Sequence, residues 1–170
     1  MHTLLKKAAL VAALATASAS AQATEAHVSV WAYVDTTLSL LRADGSALPD
    51  VVEMAYRAGQ GLSPHIEEVR IFSNDTDKDV EVRLGNAAAL LPTLAPVGAA
   101  PVPLTVSLNG RALTTTSTDF TAAELFNGSI PGASIMMPLR IAQTTPGAIS
   151  HSGLYEGIVS LALNQKTAAP

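Results

Sequence analysis

Apolar and polar positions alternate with a period of two over much of the chain, and the first long alternation sets the problem. Ala26, Val28, Val30, Ala32 and Val34 interleave with Glu25, His27, Ser29, Trp31, Tyr33 and Asp35. Successive side chains of a strand point to opposite faces. This segment therefore reads as a strand with one small-to-medium apolar face and one polar-aromatic face, and Thr37 to Leu41 can continue it. Ala43-Asp44-Gly45-Ser46 is a turn. Val51 to Tyr56 reads as a short strand closed by Gly59-Gln60-Gly61, and Ile66 to Ser73 as another. The polar run Asn74 to Asp79 then leads into Val80 to Leu84, so the two flanking strands are expected to form a hairpin.

Pro92, Pro96, Pro101 and Pro103 punctuate the stretch from Leu90 to Pro103. Proline removes a ladder donor, so this stretch is expected to be an ordered connection or edge segment, not a central strand. Leu104 to Leu108, Asn109-Gly110 and Arg111 to Thr116 form the clearest local signal. Asn-Gly accepts positive φ at both central positions of a type I′ hairpin turn. Thr121-Ala122-Ala123-Glu124 has capping-box spacing and opens a helix of one or two turns. Ser134 to Ala142 and Leu154 to Leu163 are the last two expected strands. Short strands at this spacing predict an all-β sandwich.

The first 23 residues stand apart. Lys6 and Lys7 precede an apolar run from Ala8 to Thr16, followed by Ala19-Ser20-Ala21 and Ala21-Gln22-Ala23. A basic start, a short apolar core and A-x-A exits describe a secretory signal peptide, cleaved after Ala21 or Ala23. The run is too short to span a bilayer, which needs roughly 20 apolar residues. Cleavage after Ala23 leaves 147 residues, the size of one domain. It also leaves 8 basic against 14 acidic residues, a net charge of about −6. So acidic a chain has no electrostatic footprint for nucleic acid, nor a basic patch for an anionic membrane. With 0 cysteines in an exported chain, stability must come from burial, from a partner, or from both.

Candidate chemistry is sparse. His27, His65 and His151 are isolated and lack zinc-ligand spacing. Asp75, Asp77 and Asp79 resemble the start of a calcium loop, but Val80 stands where the motif needs glycine and Asn86 where it needs glutamate. Neither a nucleophile motif nor a glycine-rich phosphate loop occurs. The expectation is a non-enzyme with no catalytic, metal-binding or cofactor-binding residues and no cofactor. Residues 24–35 remain the unusual element. A terminal strand with no turn before it either pairs within its own sheet or is given to another molecule.

Several longer segments add a resemblance. Thr24-Glu25, Val28-Ser29-Val30, Val34-Asp35-Thr36-Thr37, Leu40-Leu41 and Ala43-Asp44-Gly45-Ser46-Ala47-Leu48-Pro49 follow one another in the first third. Ser73-Asn74-Asp75, Asn109-Gly110, Asp119-Phe120 with Ala122-Ala123, and Gly153-Leu154-Tyr155-Glu156-Gly157-Ile158-Val159-Ser160-Leu161 follow later. In these the chain resembles the major pilins of the class 5, or alpha, chaperone–usher fimbriae, the colonization-factor-antigen and cable-pilus type. It departs from many relatives in having Thr36 where they have proline after the strand's aspartate.

The resemblance implies an incomplete immunoglobulin-like β-sandwich, residues 36–170, completed by a donor strand from a neighbouring subunit. Residues 24–35 would be the strand each subunit donates, with Ala26, Val28, Val30, Ala32 and Val34 facing the groove. It further implies a head-to-tail homopolymer of identical pilin subunits, a periplasmic chaperone, an outer-membrane usher, a tip adhesin, and passage through the periplasm to a fimbrium at the cell surface. The alternative reading is a minor or tip adhesive subunit that binds a host receptor.

Overall fold

The computed structural model describes residues 38–166, all within one compact unit. Twelve strands and one short helix follow one another. They are β1 (Ser39–Arg42), β2 (Tyr56–Arg57), β3 (Gly61–Leu62), β4 (His65–Phe72), β5 (Val80–Leu84), β6 (Ala89–Leu94), β7 (Val102–Leu108), β8 (Arg111–Leu113), β9 (Thr118–Phe120), α1 (Ala122–Leu125), β10 (Met137–Gln143), β11 (Leu154–Glu156) and β12 (Leu161–Gln165). The larger sheet has the order β1-β4-β10-β7-β6-β11, with β8 also on β7. The smaller has the order β12-β5-β9. Between them lies the core: Val69, Ile71, Val80, Val82, Val106, Leu108, Phe120, Leu125 and Met137 are wholly buried there. Each such side chain contributes about 1.5–3 kcal/mol.

The sheets are two parts of one curl. Leu84 N–H donates to the Thr114 carbonyl (2.7 Å) and Leu104 N–H to that of Ala88 (2.9 Å). On the opposite flank Gly85 N–H donates to the Ser160 carbonyl (2.9 Å). Residues 80–94 thus run from one sheet into the other, with β7 to β9 on one side and β11 and β12 on the other.

Local chemistry sets the turns where the sequence is strongest. Asn109 (φ 49°) and Gly110 (φ 78°) close the β7–β8 hairpin in the left-handed geometry of a type I′ turn. The Thr121 hydroxyl accepts from Glu124 N–H (3.3 Å) and starts α1. Asp44 accepts from Ser46 N–H (2.9 Å) in the expected turn after β1.

Four expectations need correction. Strands β4 and β5 do not form a hairpin: β4 pairs with β1 and β10, and β5 with β12 and β9. Val69, Ile71, Val80 and Val82 are all wholly buried in one core, so the two strands face each other across it and Asn74 to Asp79 arches between sheets. Second, residues 51–55 are not a strand; only Tyr56–Arg57 pairs, with Gly61–Leu62. Val51 is 86% exposed and has no core to face. Third, Ala89–Leu94 is a strand despite Pro92. Its ladder to β7 ends at Leu90, before the proline would have to donate to it. Fourth, the closing strand is split, β11 pairing with β6 and β12 with β5. The crossing passes Gly157, where a Cβ would collide with the Ala89 carbonyl oxygen.

Buried Ser134 locks the start of β10 against β4. Its hydroxyl accepts from Ile71 N–H (2.9 Å) and donates to the Ile135 carbonyl (2.8 Å). Ser134→Ala strands a buried N–H and is expected to lower stability by about 1–3 kcal/mol. The urea midpoint of the chain with residues 24–35 fused to its C-terminus, compared with and without the substitution, measures it.

Candidate functional site: the seam between the first and last strands

The curl leaves a seam. Strand β1 forms one end of the larger sheet and pairs only with β4 among the described residues. Strand β12 ends the smaller sheet and pairs only with β5 among the described residues. Each therefore presents a row of backbone donors and acceptors along its outer edge.

Side chains on these edges are covered less than their neighbours. On β5, Val80, Val82 and Leu84 are buried. One strand outward, Leu161 and Leu163 pack against the core but are only half-buried, as is Val159 just before them. Leu38 and Leu40 at the β1 edge have the same intermediate status. Apolar side chains that touch the core yet keep area exposed still have hydrophobic free energy to gain from a further layer.

Polar contacts hold the β12 side in place. Gln165 Nε2 donates to Ser73 Oγ (2.8 Å) and to the Asp75 carbonyl (2.7 Å), tying the end of β12 to the β4–β5 arch. Lys166 N–H donates to the Asp79 carbonyl (2.9 Å), and its ammonium pairs with Asp119 and Glu81. The hydrogen bond to Asp119 holds the Lys166 pKa above its ordinary value. These links fix β12 at its C-terminal end, and no described strand pairs with its outer edge.

The polar groups weighed from the sequence have structural partners. Asp75 pairs with Lys78 (3.0 Å), whose hydrogen bond pulls the carboxyl below its ordinary value. Asp79 Oδ1 accepts from Ala122 N–H (2.8 Å) at the start of α1. His65 lies 3.8 Å from Glu67, and His151 Nδ1 lies 2.9 Å from Ser150 Oγ. No cluster of three potential metal ligands occurs among the described residues. The five strand residues singled out in the sequence, Ala26, Val28, Val30, Ala32 and Val34, lie outside the described residues, as do the signal segment and the last four residues. Sequence reasoning missed the other half of the site. Leu161 and Leu163 carried the period-two signal, but an unbroken reading of Leu154 to Leu163 hid their place on a sheet edge.

A curled β-sandwich whose first and last strands each lack an outer partner among the described residues, in a chain that also carries an alternating valine segment, fits an incomplete immunoglobulin-like fold. The chain belongs to the family of CS1 type fimbrial major subunits, whose model matches residues 24–164. It is 36% identical over 149 residues to a CFA/I fimbrial subunit of Escherichia coli O78:H11, covering 85% of this chain and 86% of the relative. It is 34% identical over 172 residues to a CS1 fimbrial subunit of Escherichia coli, covering 96% and 99%. The CooA pilin subunit from enterotoxigenic Escherichia coli superimposes with a TM-score of 0.62 at 27% identity, covering 79% of this chain and 90% of that one. The protein is thus a structural pilin of a fimbria at the cell surface, where copies of the pilin polymerise, and its family is not an enzyme family.

Proposed function

We propose that this pilin polymerises by donor-strand exchange, residues 24–35 of one copy lying in the β1–β12 seam of the next. The half-buried leucines on both flanks of that seam carry the reading. Ala26, Val28, Val30, Ala32 and Val34 supply a matching apolar row, and the polar alternate residues face outward. Val28, Val30 and Val34 contribute about 1.5–3 kcal/mol each on burial. Ladder hydrogen bonds to the two edges add about 0.5–1.5 kcal/mol apiece. One strand and one seam per copy make a head-to-tail contact that does not close on itself, so an open fibre grows.

An empty seam is an aggregation hazard, because unpaired edges flank an apolar floor. A periplasmic chaperone therefore covers it before assembly, and an outer-membrane usher exchanges that cover for the next copy's strand. The family match opening at Thr24 supports removal of residues 1–23 as a signal peptide, with residues 36–170 as the pilin domain and a separate tip adhesin. The role is structural, with no reaction catalysed and no cofactor. Matching along 96% of the chain to a fimbrial subunit favours a shaft position over a tip receptor-binding one.

Because the chain has 0 cysteines, paired thiols report cleanly. With Val30→Cys and Leu163→Cys in one chain, a short bifunctional thiol reagent applied to fibres is expected to give a ladder of covalent multimers. Cross-linked monomers alone would show that each strand sits in its own subunit.

A further inference from the structure

Most cations of this acidic protein are already matched within the chain. Beyond residue 23 there are 8 Lys and Arg residues, all of them described. Arg42, Lys78, Arg111 and Lys166 form ion pairs with carboxylates, and Arg70 donates to the Ser134 carbonyl. Arg57, Arg83 and Arg140 have no acidic partner among the described residues. Two of these three, Arg57 and Arg140, line one cleft of about 430 Å³, and no Asp or Glu lines it with them.

The cleft lies on the outer face of the larger sheet, away from the seam. Arg140 stands in β10 between Ile66 of β4 and Ser107 of β7, exposed where its neighbour Leu139 is buried. The β2–β3 hairpin carries Arg57, opposite Gly61 in register. Gln143 fastens that hairpin to β10. Its Oε1 accepts from Leu62 N–H (3.0 Å), and its Nε2 donates to the Gly147 carbonyl (3.2 Å). Gly61 (φ 90°) allows this approach, because a Cβ there would collide with the Gln143 amide and the Gly147 carbonyl oxygen. Both arginines therefore stand on elements fixed to each other, and the cleft is formed before any ligand arrives. Ser63 lines it too, and its hydroxyl oxygen is buried without a hydrogen-bond partner. Buried polar atoms are nearly always paired, so an unpaired one in a cleft calls for a polar ligand.

From this we infer that the cleft between the β2–β3 hairpin and β10 binds an acidic saccharide. Arg57 and Arg140 take its carboxylate or sulfate, and Gln60 and Ser63 take its hydroxyls. Guanidinium matches the paired oxygens of such anions better than any other side chain. Amide and hydroxyl groups beside it suit a ligand rich in hydroxyls. The volume falls within the range of about 300–1,000 Å³ usual for small-ligand sites. A pilin at the cell surface meets carboxylated and sulfated saccharides on the surfaces around it. One cleft per copy makes a fibre multivalent, so a weak single site gives firm attachment. The inference rests on the pilin's place at the surface and not on the donor-strand reading.

The test uses assembled fibres purified from cells, with electron microscopy confirming that each variant still forms them. Three sugars are titrated by calorimetry: sialyllactose for a carboxylate, a sulfated heparin disaccharide for a sulfate, and lactose as the neutral control. Wild-type fibres are expected to bind at least one acidic sugar and not lactose, and more weakly as salt is raised. The acidic sugar that binds identifies the anion. Arg57→Gln and Arg140→Gln are each expected to lower that affinity by on the order of tenfold, since each removes charge-assisted hydrogen bonds. Arg83→Gln removes the same charge from β5, outside the cleft, and is expected to change the affinity by less than about twofold. Arg57 is exposed on a two-residue strand, so its variant guards against a folding defect in Arg140→Gln. Binding of lactose equal to that of the acidic sugars, or of neither acidic sugar, would overturn the inference. So would Arg57→Gln fibres that bind as wild type does, or an equal loss in Arg83→Gln, which would trace binding to net charge alone.

Discussion

Val30→Asp is expected to stop fibre formation, and Ser29→Asp to permit it. The two substitutions place the same charge one residue apart on an alternating strand. At position 30 the carboxylate is driven into the apolar seam between β1 and β12, beside leucines that offer it no cation. An unpaired buried charge costs several kcal/mol, more than the valine's burial contributed. At position 29 the carboxylate points to the opposite face and stays in water. Export of both variants, assayed in periplasmic extracts, separates a polymerisation defect from a secretion defect. Equal assembly of both, or failure of Ser29→Asp alone, would contradict the assignment of faces.

The second large effect concerns the pilin without a partner. Expressed in the periplasm without a chaperone, the chain is expected to aggregate or be degraded, because its seam exposes sheet edges and half-buried leucines together. Fusing residues 24–35 to the C-terminus through a flexible linker should restore a soluble monomer. A tethered strand sees the seam at an effective concentration of about millimolar, so the site fills without a second molecule. Gel filtration with thermal unfolding reads the result. A fused chain as insoluble as the parent would show that the missing strand is not what limits folding.

Much of the fold was legible wherever one residue type does one backbone job. Asn109-Gly110 supplies two positive φ angles, and the Thr121 hydroxyl caps a helix N-terminus, whatever surrounds them. Alternation located β4 and β5 because β5 buries every second side chain and β4 does so at Val69 and Ile71. Which strands pair was less legible. Val69 and Ile71 give the same pattern whether β5 lies beside β4 or across the core from it, and only the packed structure shows the second arrangement. Pro92 argued against a central strand on a rule that holds for a full ladder, and β6 shares only two rungs with β7. The acceptor side escaped notice for a related reason. Leu161 and Leu163 look like core residues in sequence, and their half-burial comes from β12 standing at the end of a curled sheet.

The corrected connections make the open seam a consequence of the fold. Because β4 and β5 lie in opposite sheets, the curl must close through residues 80–94 on one side. The first and last described strands are left as its two ends. Splitting the closing segment places β12 beside β5 at one end of the curl and β11 beside β6.

An electron cryo-microscopy map of the assembled fibre, at a resolution that shows side chains, tests the central claim most directly. The account predicts that residues 24–35 of each copy lie between β1 and β12 of its neighbour, with Ala26, Val28, Val30, Ala32 and Val34 turned inward against Leu161 and Leu163. Density that instead connects this strand to the β1 of its own copy within the same seam would contradict it.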